Sequence, residues 1–268
     1  MPPAVSTTVV AVEFALLLIG LLLLWQRGLS PAARLRPVRL PAWDVTLSDF
    51  FLLLWLVICG GFVVQYSLSL YLKYHPVDQS HQLIMGTGAF HGGMLLGLLV
   101  YRLTFGRRQA RLEFPVMRAL GSGFVTFLVA MPVVTAVSLV WQGLLKLCHI
   151  SVETQEAVDL LRQTDSPTLR FTLLVIAIMV APFTEELIFR AGIFRYVRTR
   201  LPRWAALVLP AVLFASLHLN LASFAPLVAL AVVFAFAFER TGNIGTTIFA
   251  HALFNLNASL LVLAGVDA

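Results

Sequence analysis

Charge is what this chain has least of. Among its 268 residues 12% are charged and 59% hydrophobic, and mean hydropathy is +0.90. A soluble domain carries about 25% charged residues, so an ordinary water-soluble globule is excluded. Cysteine is nearly absent too. Cys59 and Cys148 alone supply neither a disulfide framework nor a metal-binding cluster. The first apolar stretch, Thr8 to Trp25, lacks a basic segment ahead of it and a small-residue cleavage site. It therefore reads as a retained first helix rather than a removed signal peptide. No internal repeat and no linker divides the chain into separate folded units.

What is present instead is a series of apolar blocks near the length that crosses a hydrocarbon core of about 30 Å. Eight spans are expected, near 7–25, 48–72, 82–104, 121–144, 170–192, 204–220, 224–239 and 244–264. The fold class is all-α, a polytopic transmembrane helical bundle. The net charge of +6 does not point to nucleic acid, because the basic residues cluster between the apolar blocks. Arg27, Arg34, Arg36 and Arg39 follow the first span, and Arg102, Arg107, Arg108, Arg111 and Arg118 surround the third connection to the fourth span. Arg195, Arg198, Arg200 and Arg203 follow the fifth, and Arg240 ends the seventh. The alternate connections are poor in basic charge. This alternation predicts cytoplasmic basic loops, both termini on the opposite side, and the lipid bilayer as the partner.

Two further segments stand out. Residues 151–166, "SVETQEAVDLLRQTDS", predict a short amphipathic helix on the outer surface, opening at a Ser-x-x-Thr start. In the third span Gly88, Gly92, Gly93 and Gly97 give two four-residue spacings that permit close helix contact. His91 lies among them and reads as a packed or hydrogen-bonded helix histidine.

The polar residues of the last four spans carry the functional signal. "APFTEELIFRAGIFR", residues 181–195, sets Glu185, Glu186 and Arg190 in an apolar run, where charge is expensive and usually functional. Glu186 and Arg190 are four apart, share a helix face and can pair. Glu185 points about 100° away and is the freer carboxylate. A purely structural electrostatic staple would explain Glu186 and Arg190 but leave Glu185 without a partner. Pro182 interrupts the backbone ladder just ahead. In "LFASLHLN" His218 follows Phe214 by four, and in "FAHALFNLN" Asn255 follows His251 by four. Imidazole and carboxamide are both good hydrogen-bond donors.

"EELIFR", "FASLH" and "HALFN", in this order, resemble the three motifs of the CAAX prenyl protease and bacteriocin-processing (CPBP, or Abi) family. Ala191 precedes Gly192 here, whereas the family often has glycine directly after the arginine. The resemblance implies a catalytic helical core over 121–268, with its motifs within 170–264, and about three flanking transmembrane helices over 1–120. It implies an intramembrane endopeptidase acting on a membrane-associated peptide or lipidated protein, prenylated CAAX-type proteins among them. Glu185 with His218 would activate water, and His251 with Asn255 would stabilise the oxyanion. Glu186, Arg190 and Phe214 would support the site. No cofactor is expected. The alternative is a zinc enzyme holding the metal on Glu185, His218 and His251. It is disfavoured because no His-Glu-x-x-His pair supplies two ligands from one helix and Asn255 is a poor zinc ligand. A proton-coupled transporter and a catalytically silent scaffold or immunity protein are the competing functions. For His218 to reach the other groups, the uncharged turn at 219–223 is expected to dip below the membrane surface.

Overall fold

The computed structural model describes residues 7–105, 115–150 and 155–266, and every regular element in it is helical. Among the described residues seven helices are long and apolar enough to cross a bilayer: α1 (Thr7–Leu29), α2 (Leu47–Tyr74), α3 (Gln79–Thr104), α4 (Val116–Leu147), α6 (Pro167–Arg200), α8 (Leu221–Thr241) and α9 (Ile244–Leu263). Between α4 and α6 lies the expected amphipathic helix, α5 (Glu156–Gln163), which buries Leu161 and is tied to the start of α8 by Gln155 Nε2 donating to Ser223 Oγ at 2.9 Å. Its Ser151–Thr154 start, like Arg107, Arg108 and Arg111, lies outside the described residues.

The sixth expected span is corrected. Helix α7 (Arg203–Ser216) has 14 residues and ends four residues before the expected limit. At 1.5 Å per residue it is about 21 Å long, short of the roughly 30 Å hydrocarbon core. Leu219 adopts φ 50° in the turn that follows. Asn220 then caps the next helix, accepting from Ser223 N at 2.9 Å. A left-handed residue and a new cap end one helix and begin another, so His218 belongs to a turn.

Helices start where side chains can satisfy their first N–H groups. Thr46 caps α2, Asp78 caps α3, Ser166 caps α6 and Asn243 caps α9. Helices α2 and α3 form the tightest pair. A Cβ on Gly93 would collide with the Gly60 carbonyl, and one on Gly97 with the Leu56 carbonyl. Of the two expected glycine spacings, Gly93–Gly97 makes the contact. Gly92 meets nothing within 4 Å, and Gly88 makes only ordinary contact with Ile176 of α6. Residues of α2 and α3 share one apolar cluster with α6, α7 and α8, centred on Phe50, Leu53, Val57, Tyr101, Phe189, Tyr196 and Phe214.

Residues 36–46 have no regular structure and cross the arginine-rich end of the bundle. An extended strap leaves carbonyls to be satisfied, and arginines late in α6 do so. Arg195 donates to the Pro41 and Ala42 carbonyls, and Arg200 donates to those of Trp43 and Val45. The buried Glu239 carboxylate receives Arg198 at 2.6 Å and Arg203 at 2.7 Å, while its backbone carbonyl receives the Arg39 and Leu40 amides. Gly242, with φ 65°, ends α8 against the Arg39 carbonyl, where a Cβ would lie 2.8 Å away. Basic residues that read from the sequence as topology signals thus also hold the strap in place.

The glycine contacts make a direct test. Gly97→Val should cost about 1–3 kcal/mol through overpacking and lower the thermal midpoint of detergent-purified protein. Gly92→Ala, which meets open space, should leave the midpoint unchanged or raise it.

Candidate active site

Helix α6 owes its site geometry to a local change of register. Residues Ile176–Val180 and Leu187–Phe194 are π-helical and flank the α-helical turn Ala181–Glu186. The Ala181 amide bonds back five residues to Ile176 O. The next donor in that register would be residue 182, but it is proline and has no N–H. The carbonyl that donor would have served, Ala177 O, instead accepts from Asn255 Nδ2 of α9 at 2.8 Å. Such π-turns recur at functional sites because they free backbone groups and rotate the following side chains.

One turn on, Glu186 is fully buried and Arg190 is 2% exposed. Arg190 Nη1 lies 3.0 Å from Glu186 Oε1, which forms the intrahelical pair allowed by the four-residue spacing. The same Oε1 lies 2.9 Å from Nδ1 of His251 on α9. A carboxylate only accepts, so Nδ1 carries the proton and the His251 ring is oriented with Nε2 pointing away from Glu186. Nε2 then lies 3.8 Å from Oε2 of Glu185, whose side chain is 18% exposed, more open than its neighbour. That gap exceeds a hydrogen bond, yet an atom placed about 2.8 Å from both would bond to each.

Aromatic rings close the rest. Arg190 Cζ lies 4.8 Å from the centroid of Phe214 on α7 and 5.5 Å from that of Phe234 on α8, so the cation is held between two π faces. Phe234 also approaches the His251 ring at 5.5 Å and Phe214 approaches it at 6.2 Å. His218 is connected through Phe214: its Nδ1 donates to Phe214 O at 2.8 Å, and the two rings are 4.7 Å apart. A carbonyl accepts only, which leaves His218 Nε2 as a free acceptor.

The expected residues therefore divide. Glu185, Glu186, Arg190, His251 and Phe214 meet directly, His218 joins through Phe214, and Asn255 is bonded to the freed carbonyl one turn along α9. Two further groups belong to this neighbourhood. Phe234 gave no sequence signal beyond being one apolar residue in an apolar helix. His91 of α3 is 8% exposed, has no hydrogen-bond partner for Nδ1 among the described residues, and interacts electrostatically with Glu185. Its nearest charge lies on another helix, so searching one turn along α3 could not reveal it.

The zinc alternative needs three donors converging on one point. No group of three His, Cys, Asp or Glu side chains among the described residues is arranged to hold a metal ion. As placed, these residues do not fit a zinc centre.

The buried triad predicts a coupling pattern. Glu186→Ala and Arg190→Ala should each destabilise the protein by about 3–5 kcal/mol, since each leaves a buried charge unpaired. The double variant should lose much less than the sum in thermal unfolding in detergent. Additive losses would mean the two groups do not act as a pair.

Residues 167–257 match the family model described as Rce1-like, type II CAAX prenyl endopeptidase Rce1-like. No curated protein and no solved structure matches the chain. The matched segment runs from the start of α6 through most of α9 and contains every residue of the three motifs. Over that segment the chain is similar to the Rce1-like CPBP family, a family of membrane proteases.

Proposed function

We propose that this protein hydrolyses a peptide bond of a membrane-associated peptide or lipidated protein, with a water molecule held by Glu185 as the nucleophile. The observation that carries the reading is the position of Glu185 Oε2, 3.8 Å from a His251 Nε2 whose ring is fixed from behind by Glu186. One solvent-reachable carboxylate beside one oriented imidazole is a device for moving a proton and stabilising charge at the same point.

In this reading Glu185 takes a proton from the water, assisted by the free Nε2 of His218. The water oxygen attacks the scissile carbonyl carbon. The carbonyl π electrons move onto oxygen, giving a tetrahedral oxyanion. His251 as imidazolium donates from Nδ1 to Glu186 and from Nε2 to the oxyanion, while the second Nδ2–H of Asn255 supplies another bond. On collapse, the proton held by Glu185 passes to the departing amine and the C–N bond breaks. Glu186 and Arg190 keep the His251 ring in place and take no proton. The chemistry is metal-free.

The arginine-rich loops face the cytoplasm in this reading, and the cavity opens to that side. The shortness of α7 supports a His218 turn lying below the membrane surface. Substrates bearing a prenyl or other lipid anchor fit a site reached from within the bilayer.

The test is cleavage of a quenched fluorescent peptide library by detergent-purified protein. Glu185→Ala and His218→Ala should abolish turnover with little change in thermal midpoint, and Asn255→Ala should lower it 100-fold or more. Turnover by Glu185→Ala equal to that of the parent would reject the water-activating role. Activity should also survive chelators, in preparations free of stoichiometric zinc; loss on chelation with recovery on zinc would return the metal reading.

A further inference from the structure

A cavity of about 770 Å³ lies at the arginine-rich end of the bundle. Five arginines line it: Arg27 from the end of α1, Arg36 and Arg39 from the strap, Arg118 from the first turn of α4 and Arg240 from the last turn of α8. No acidic residue among the described residues lines it. The nearest carboxylate in sequence, Glu239, is fully buried and already receives Arg198 and Arg203. None of the five forms an ion pair among the described residues. Arg240 donates to the Arg36 carbonyl and interacts electrostatically with Arg203, with Glu239 and with Arg36, and its buried Nε has no hydrogen-bond partner among the described residues. Five cations drawn from four segments line one volume with no carboxylate among the described lining residues, an arrangement that favours the entry of an anion.

Further features of the cavity specify the anion. Helix α4 begins beside it at Val116 with no side-chain cap, so its first amides are available to an anionic oxygen. Helix α1 presents a long apolar outer face, with Phe14, Leu22 and Trp25 each about 60% exposed, that leads up to Arg27. The cavity therefore sits where the hydrocarbon-facing wall ends and helix termini begin, the depth of lipid headgroups. Its volume suits a group of headgroup size. Arginine forks match phosphate oxygens bidentately, and basic pockets between membrane helices take phosphate-bearing headgroups.

We propose that this cavity is a binding site for a phosphate-bearing anion, separate from the catalytic centre. Along α9, His251 is eight residues from Asn243 at the cavity wall, about 12 Å at helical rise. An anionic phospholipid and a soluble phosphate compound share the required chemistry. The cavity's role does not depend on the catalytic reading.

The test uses full-length protein in detergent, with thermal midpoint and intrinsic fluorescence as readouts. The probes are short-chain phosphatidylglycerol, short-chain phosphatidylcholine and inorganic pyrophosphate. The comparison is between the parent and an Arg27→Gln/Arg118→Gln variant, because neither side chain makes a hydrogen bond or ion pair among the described residues. Phosphatidylglycerol should raise the parent's midpoint more than phosphatidylcholine does. The variant should bind it about 10- to 30-fold more weakly. Without a ligand the variant should be as stable as the parent or more so, since two repelling cations are gone. A pyrophosphate effect matching that of phosphatidylglycerol assigns the same site to a soluble anion. Equal effects of the two lipids with no pyrophosphate effect, or unweakened anion binding by the variant, overturn the site.

Discussion

A carboxylate with no exposure to water, inside a helix bundle, has to be partnered, and Glu186 is that carboxylate. The penalty for leaving it alone is several kcal/mol, larger than any single packing contact nearby. One partner, Arg190, comes from its own helix and the other, His251, from α9. Satisfying Glu186 therefore fixes the rotation of α6 against α9. Arg190 in turn lies against Phe214 and Phe234, bringing α7 and α8 into the same arrangement. Four helices are set around one buried charge, and the more exposed Glu185 is left facing the free nitrogen of an oriented histidine.

The arginine-rich end repeats the arrangement with different parts. Glu239 is buried between Arg198 and Arg203, and its backbone carbonyl holds the strap that covers α6 and α8. Arg195 and Arg200 satisfy carbonyls that an extended segment would otherwise leave bare. The loop arginines are thus divided between structural bonds and the set around the cavity. Both buried carboxylates are joined to partners across helices, which ties α6, α7, α8 and α9 to one another.

Much of this was legible in the sequence because it depends on short periods. Four-residue spacings put Glu186 with Arg190 and His218 with Phe214, and apolar block length located seven of the eight spans. Pro182 was visible as a break, though not its consequence, the freed Ala177 carbonyl that Asn255 takes. The rest depends on how helices are rotated and staggered against each other, which spacing within one helix does not encode. The electrostatic interaction of His91 with Glu185, Phe234 stacking on Arg190, and Gly93 rather than Gly92 meeting α2 are all of that kind. The early end of α7 turned on a single left-handed residue, Leu219, and non-glycine residues rarely advertise that conformation.

The central claim is that Glu185 and His251 act on one water and one developing charge as a unit. A double-mutant cycle on kcat/KM, using Glu185→Gln, His251→Gln and the pair, measures this directly. The account predicts that the double variant is little worse than the worse single variant. Losses that simply multiply would mean the two groups work independently, and would contradict it.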